Sequence, residues 1–288
     1  MTLQQLLVQE TQQLNNAGVP NGDLDARYLM LEAFHMGLAS FLAGRGQEIA
    51  SIPDGEEKAA RFREMTARRA RRIPLQQVLG VQEFMGMEFY VNEHVLTPRQ
   101  DTETLVELVL AEQKARDLRV LDLCTGSGCI ALSLAVMGEY SHVSALDLSA
   151  EALKVARRNG ERLLAGYVGD FRFFESDMFA AVPTGELFDV LVSNPPYIPS
   201  KVIEGLEPEV RDHEPRMALD GTEDGLKFYR ILAEEGKMHL EHGGAIYLEI
   251  GWDQAQAVSQ LLENNGFVDI RTVKDMAGLD RVVRAGWP

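Results

Sequence analysis

Apolar positions recur every three or four residues through the first 75 positions, and from Asp101 onward that spacing alternates with short apolar runs. Leu3, Leu6, Leu7 and Leu14 share one face of a helix that stops at Gly18 and Pro20. Asp23 is placed to cap a second helix carrying Ala26, Leu29, Met30 and Phe34, and a third helix from Glu57 to Arg72 is expected to end before Pro74. Residues 1–75 are thus expected to form a small helical domain for binding or orientation, since they hold no catalytic constellation.

Residues 76–97 change character: Phe84, Gly86, Phe89, Tyr90 and Val91 suggest two short extended segments around a turn, a hairpin-like connector. Over residues 98–288 helices and strands alternate. A helix from Thr102 to Ala115 is expected first, then strands at Arg119 to Leu123, His142 to Asp147, Phe171 to Phe174 and Phe188 to Ser193. A long irregular stretch, a helix from Leu226 to Leu240 and the strand AIYLEIG follow. This order predicts an α/β fold, a mostly parallel sheet with helices on both faces. After a helix around Val258, Leu261 and Leu262, the runs FVDIRTV and DRVVRAG lie too close for a parallel crossover, so the last strand is expected to run antiparallel.

At 288 residues and 45% hydrophobic, the chain can bury one large core and one small one. No apolar stretch approaches the roughly 20 residues that span a bilayer. The polar start MTLQQLLVQETQQ lacks a signal-peptide pattern, so a cytoplasmic protein with no membrane partner is expected. Cys124 and Cys129 share one Gly-rich stretch rather than disulfide or zinc spacing, which predicts free thiols and no metal. A net charge of -16, from 28 basic and 44 acidic residues, has the wrong sign for binding a phosphate backbone, and no direct nucleic-acid contact is expected. One basic cluster stands out: RFREMTARRARR places Arg61, Arg63, Arg68, Arg69, Arg71 and Arg72 on one helix, read as a solvated face in preference to a dock for an acidic or RNA-associated partner.

Candidate chemistry begins at VLDLCTGSGCIAL, where a strand runs into Gly126 and Gly128 and a helix opens at Ile130. Glycines there let the backbone turn tightly and approach a ligand, and the helix start offers unpaired N–H groups. Gly126, Gly128 and Ala131 also satisfy the dinucleotide pattern GxGxxA, which leaves an NAD enzyme open at this point. Asp147, at the end of the second strand, can accept both hydroxyls of a ribose, with Ser149 behind it as a helix cap. Asp177, after the third strand, is placed for an adenine amino group, and Asp122, inside the first strand, is expected to hold loop N–H groups.

The fourth strand ends in SNPPYIPS at the same sheet edge. The side-chain oxygen of Asn194 and the backbone oxygen of Pro195 are two neutral acceptors that suit the two hydrogens of a planar NH2 group. Pro195 and Pro196 remove competing N–H donors and fix φ, and Tyr197 can lay its ring against a flat conjugated group.

The chain resembles the class I methyltransferases that use S-adenosylmethionine, and among them the release factor glutamine methyltransferases of the PrmC/HemK family. The resemblance rests on PLQQVLG, EFMGMEFYV, VLTPRQDTETLVE, LDLCTGSGCIAL, NPPYIP, EPRMALDGTEDGLKFYRIL and AGLDRVVRA, nearly the whole chain. It implies a Rossmann-like sheet and methyl transfer to the side-chain amide nitrogen of the glutamine in the GGQ motif of class I peptide chain release factors. It implies that Cys124, Thr125, Gly126, Ser127 and Gly128 hold the cofactor's methionine end, Asp147 its ribose, and Asp177 with Met178 its adenine, with Asn194 bordering it. Asn194, Pro195, Pro196 and Tyr197 would carry the chemistry and hold the glutamine amide, with Phe84 and Arg99 lining the peptide pocket. The helical domain would grip the release factor. Two departures stand out: PRQDTE (98–103) where the family often has PRPETE, and Met178 where an aromatic residue often follows the third-strand Asp. The rival functions are a ribosomal-protein glutamine or nucleic-acid adenine N-methyltransferase, an NAD-dependent oxidoreductase, and a non-enzymatic adaptor.

Overall fold

The computed structural model describes all 288 residues. Contacts divide them into two units, Met1–Gly80 with Glu207–His213, and Val81–Leu206 with Glu214–Pro288.

In the first unit, Thr2 and Gln5 close a reciprocal capping box at the start of α1 (Leu3–Asn16), with Gln5 N–H donating to Thr2 Oγ1 at 3.2 Å and Thr2 N–H donating to Gln5 Oε1 at 2.9 Å. The apolar stripe of α1 packs with α2 (Gly22–Phe34) and α4 (Gly55–Ala70), and α3 (Leu38–Gly44) contributes Phe41. Asn21, in the left-handed region, precedes α2, and Asp23 lies instead in its first turn, where a carboxylate meets the positive end of the helix. Residues 75–79, where the sequence pattern marks no helix and the connector is expected to begin, form the short helix α5 (Leu75–Leu79), started at Pro74 and stopped by Gly80 at φ 77°.

The basic cluster on α4 is partly interior. Buried Arg69 donates from Nε to Asp25 at 2.7 Å and from Nη2 to Glu209 at 2.8 Å, and Arg72 donates to both oxygens of Glu209 at 2.7 and 2.6 Å. Burial pushes Asp25 up despite Arg69. Burial would also raise Glu209, but its bonds from Arg72 and Arg69 outweigh this and hold it at about 2. A solvated face was expected because the sequence pattern registers the charges on α4 but not an acid some 140 positions later.

In the second unit, the antiparallel pair β1 (Val81–Phe84) and β2 (Met87–Tyr90) precedes α6 (Gln100–Glu112). Then come β3 (Arg119–Leu123), α7 (Cys129–Gly138), β4 (His142–Asp147), α8 (Ala150–Leu163), β5 (Asp170–Glu175) and β6 (Phe188–Ser193). Three helical turns, α9 (Ser200–Ile203), α10 (Pro208–Arg211) and α11 (Arg216–Leu219), fill the stretch expected to be irregular, and α10 belongs to the first unit. The chain closes with α12 (Lys227–Gly236), β7 (Leu240–Glu249), α13 (Ala255–Asn264), β8 (Val268–Lys274) and β9 (Asp280–Gly286).

The seven-stranded sheet has the order β5-β4-β3-β6-β7-β9-β8. β3 to β7 run parallel and β9 antiparallel between β7 and β8, as the short last connection requires. Alternate residues serve opposite faces: Val120, Val143, Val190 and Val192 pack with Ile130 and Leu134 of α7 and Leu105 and Val109 of α6. Leu121, Leu123, Leu191 and Ile246 pack with Leu232 of α12 and Leu262 of α13. β7 begins five residues before the expected AIYLEIG, because Leu240 already pairs with Phe188 and a register shift beside Gly243 and Gly244 then realigns it; α12 accordingly stops at Gly236. No helix is long and apolar enough to cross a membrane.

Candidate active site

The chain runs outward from β3 through β4 to β5 and then returns to the other side of β3 with β6. At such a reversal the loops leaving neighbouring strands diverge and open a crevice at their carboxyl ends. A cavity of about 380 Å³ lies there, walled by the segments that follow β3, β4, β5 and β6.

Asp122 builds the first wall from inside the sheet. Fully buried, its Oδ2 accepts the Thr125 hydroxyl at 2.6 Å and the Ala131 N–H at 3.3 Å, so it ties the turn after β3 to the start of α7. Burial lifts its pKa to about 7, against the pull of those two bonds. Within the turn Gly126 has φ +55°, and a Cβ there would meet nothing within 4 Å, so a bare backbone faces the open space. Cys124, Thr125, Gly126 and Ser127 line the cavity, while Gly128 sits behind as the residue before α7.

Asp147 forms the second wall. Its Oδ2 accepts the Gly126 N–H and its Oδ1 the Ser149 N–H, both at 2.8 Å, and Ser149 in turn caps α8 by accepting the Ala152 N–H at 3.1 Å. Each carboxylate oxygen keeps a second lone pair for a ligand. Burial raises the Asp147 pKa, and the N–H bonds from Ser149 and Gly126 oppose it. Asp177 lines the cavity from an exposed position, and Met178 beside it is buried in the left-handed region at φ 48°. Cys124 is also left-handed, at φ 61°, and its thiol donates to the Met178 sulfur at 3.8 Å. Two non-glycine residues held in this sparsely populated region at one cavity mark a place where the fold stores backbone strain.

Asn194 and Pro196 form the third wall, and Arg99 the rim. Asn194 Nδ2 donates to Thr102 Oγ1 at 3.3 Å, while its Oδ1 and the Pro195 carbonyl receive no hydrogen bond from the chain. Pro195 and Tyr197 lie behind the wall. Tyr197 packs against the core beneath. It is therefore placed to support the segment rather than to stack on a ligand. Arg99 donates to Glu214 at 2.6 Å, and Glu214 also takes the Thr97 N–H at 3.2 Å, which brings the start of the EPRMALD stretch to the rim. Phe84 is not at the cavity: it is 1% exposed and meets Phe89 edge to face at 6.0 Å in the core. The expected peptide-pocket contact is thus replaced by a packing role.

Sequence reasoning missed what holds the Asn194–Tyr197 segment still. Ile198 bridges in parallel to Asp220, and Gln254 Nε2 donates to the Tyr197 carbonyl at 3.0 Å. Gly225, at φ +73°, passes so close that a Cβ would stand 2.3 Å from that same carbonyl. The glycine pair in DGTEDG was the available signal.

The sheet and cavity are those of a methyltransferase. The family described as "Methyltransferase small domain" matches residues 99–205, and the family described as "PrmC N-terminal domain" matches residues 5–80. A methyltransferase of known structure from Pyrococcus furiosus shares the fold, with a TM-score of 0.55 at 19% identity over 77% of this chain and 98% of that one. A release factor glutamine methyltransferase from Geobacter sulfurreducens is 40% identical across 94% of this chain and 91% of its own length. One from Moorella thermoacetica is 40% identical across 98% and 97%. The chain belongs to the family of release factor glutamine methyltransferases.

Proposed function

We propose that this protein transfers a methyl group from S-adenosylmethionine to the side-chain amide nitrogen of the glutamine in the GGQ motif of class I peptide chain release factors. The observation that carries this reading is the state of Asn194 at the cavity wall: its Nδ2 donates to Thr102 at 3.3 Å, while its Oδ1 and the carbonyl of the next residue, Pro195, receive no hydrogen bond from the chain and are neutral acceptors. Family membership supports the same conclusion.

The residues present fit the cofactor. About 380 Å³ is in the range of small-molecule sites, the wall at Gly126 is bare backbone, and Asp147 retains two acceptor lone pairs side by side, which suits a vicinal diol. In this reading Cys124 to Gly128 border the methionine end, Asp147 takes the ribose, and Asp177 and Met178 border the adenine. S-adenosylmethionine, when bound, supplies an electrophilic methyl group on a sulfonium.

The chain's own part is orientation. Asn194 Oδ1 and the Pro195 carbonyl accept the two hydrogens of the incoming carboxamide, which fixes the plane of its NH2 and leaves the third direction of the nitrogen unblocked. Because both acceptors are neutral, the amide keeps its protons until alkylation makes the nitrogen acidic enough to release one to solvent. Arg99, held by Glu214, sits at the rim for the peptide around that glutamine. A cytoplasmic enzyme acting on a protein, without nucleic acid, agrees with the net charge of -16.

The test offers a release factor, a ribosomal protein and DNA separately with radiolabelled S-adenosylmethionine. Label entering the release factor alone is expected. Label entering only one of the others, or calorimetric binding of NAD in place of S-adenosylmethionine, contradicts the proposal.

A further inference from the structure

Asn159 of α8 is 1% exposed and lies between the end of β2 and the glycine turn. Its Oδ1 accepts the Tyr90 N–H at 2.7 Å, and its Nδ2 donates to the Tyr90 carbonyl at 3.1 Å and to the Ser127 carbonyl at 2.9 Å. Both hydrogens of the carboxamide are spent. These partners also fix which way it faces, because turned over it would set a donor against the Tyr90 N–H and an oxygen against two carbonyls. Three residues earlier on the same helix face, Ala156 packs so close to the turn that a Cβ on Gly128 would stand 3.3 Å from the Ala156 Cβ. α8 thus grips the turn at two adjacent residues.

The grip decides what Ser127 offers to the cavity. Its carbonyl belongs to the planar Ser127–Gly128 peptide, whose N–H is held at the other end by the Thr125 carbonyl at 2.8 Å. With that plane clamped, the polar groups left on Ser127 are its own N–H and its hydroxyl. Neither has a partner in the chain, although Ser127 is 2% exposed and lines the cavity. Buried donors without partners are costly, and two on one residue of a cavity wall suit a ligand oxygen, an anionic one best.

We infer that Asn159 is a positioning residue: by clasping the Ser127 carbonyl it presents the Ser127 N–H and hydroxyl to the carboxylate of the cofactor's methionine end. The inference rests on the reading that residues 124–128 border that end. Asn159 itself touches no ligand.

Calorimetry with two ligands tests it: S-adenosylmethionine, and its decarboxylated analogue, which lacks the carboxylate. Asn159→Leu keeps the bulk without polar atoms, and Asn159→Ala, the smaller change, simply opens the clasp. Each is expected to bind S-adenosylmethionine about tenfold or more weakly than the wild type, and the analogue within about threefold of it. Arg158→Ala, which loses the guanidinium seated 3.5 Å from the centre of the Tyr90 ring, is expected to bind both ligands as the wild type does. Steady-state kinetics should place the Asn159→Ala loss in the KM for S-adenosylmethionine, with kcat within about threefold. Wild-type affinity for S-adenosylmethionine in Asn159→Ala, or an equal loss for both ligands, overturns the inference. If Asp147→Asn, measured alongside, also leaves the affinity unchanged, the turn is not the cofactor site, and the reading beneath the inference falls with it.

Discussion

Asp147 closes the glycine turn upon itself: its Oδ2 takes the Gly126 N–H at 2.8 Å, so the end of β4 and the loop after β3 form a single rigid edge. The carboxylate therefore acts within the chain even before any ligand arrives. Asp147→Asn would turn an NH2 toward either the Gly126 or the Ser149 N–H, donor against donor. Calorimetry is expected to give an S-adenosylmethionine affinity at least about tenfold weaker, since an unsatisfied polar group costs about 1–3 kcal/mol. An unchanged affinity would remove Asp147 from the cofactor site.

Cys124 is a loop-former and not a nucleophile. Burial, with Asp147 and Asp122 nearby, pushes its thiol far above the usual range, so no thiolate forms at neutral pH. Cys124→Ser is expected to keep turnover within about threefold, because any small residue that tolerates the left-handed backbone serves. Complete loss of turnover with normal cofactor binding would contradict this.

Gly225 is where the DGTEDG stretch presses on the segment that carries Asn194. A methyl group there must displace the Tyr197 carbonyl, and φ +73° is itself unfavourable for alanine. Gly225→Ala is expected to lower kcat by about tenfold or more, in the range that misplacement at a distance produces, while cofactor affinity holds. Steady-state kinetics beside calorimetry separates the two.

Much of this could be read from the chain. The strands were visible because buried parallel strands leave short apolar runs such as VLVS, and the ligand edge because Gly126, Gly128 and Asn194 follow such runs directly. What was hidden is non-local. Nothing near Glu209 marks it as a partner of Arg69 and Arg72, and Phe84 in a motif gives no sign of whether it points to a pocket or a core. The helix α5 was lost because five residues are too few to show a period.

Glu209 gives the pH prediction. Its folded-state pKa is held at about 2, below that of an unfolded glutamate, so its contribution is present above about pH 4.3 and lost as pH falls toward 2. Hydrogen exchange of residues 207–213 is expected to quicken over that window, relative to a Glu209→Gln variant that is already poorly protected and changes little. Equal pH dependence in both proteins would show that the Arg69 and Arg72 contacts do not hold this segment.

The central claim concerns which nitrogen receives the methyl group, and tandem mass spectrometry of a release factor incubated with S-adenosylmethionine and either the wild-type protein or Asn194→Ala reads it directly. A 14 Da increment on the side chain of the GGQ glutamine is expected with the wild type, falling on the order of 100-fold in rate with the variant while cofactor binding persists. A methyl group found on another residue, or an Asn194→Ala protein that transfers as fast as the wild type, would contradict it.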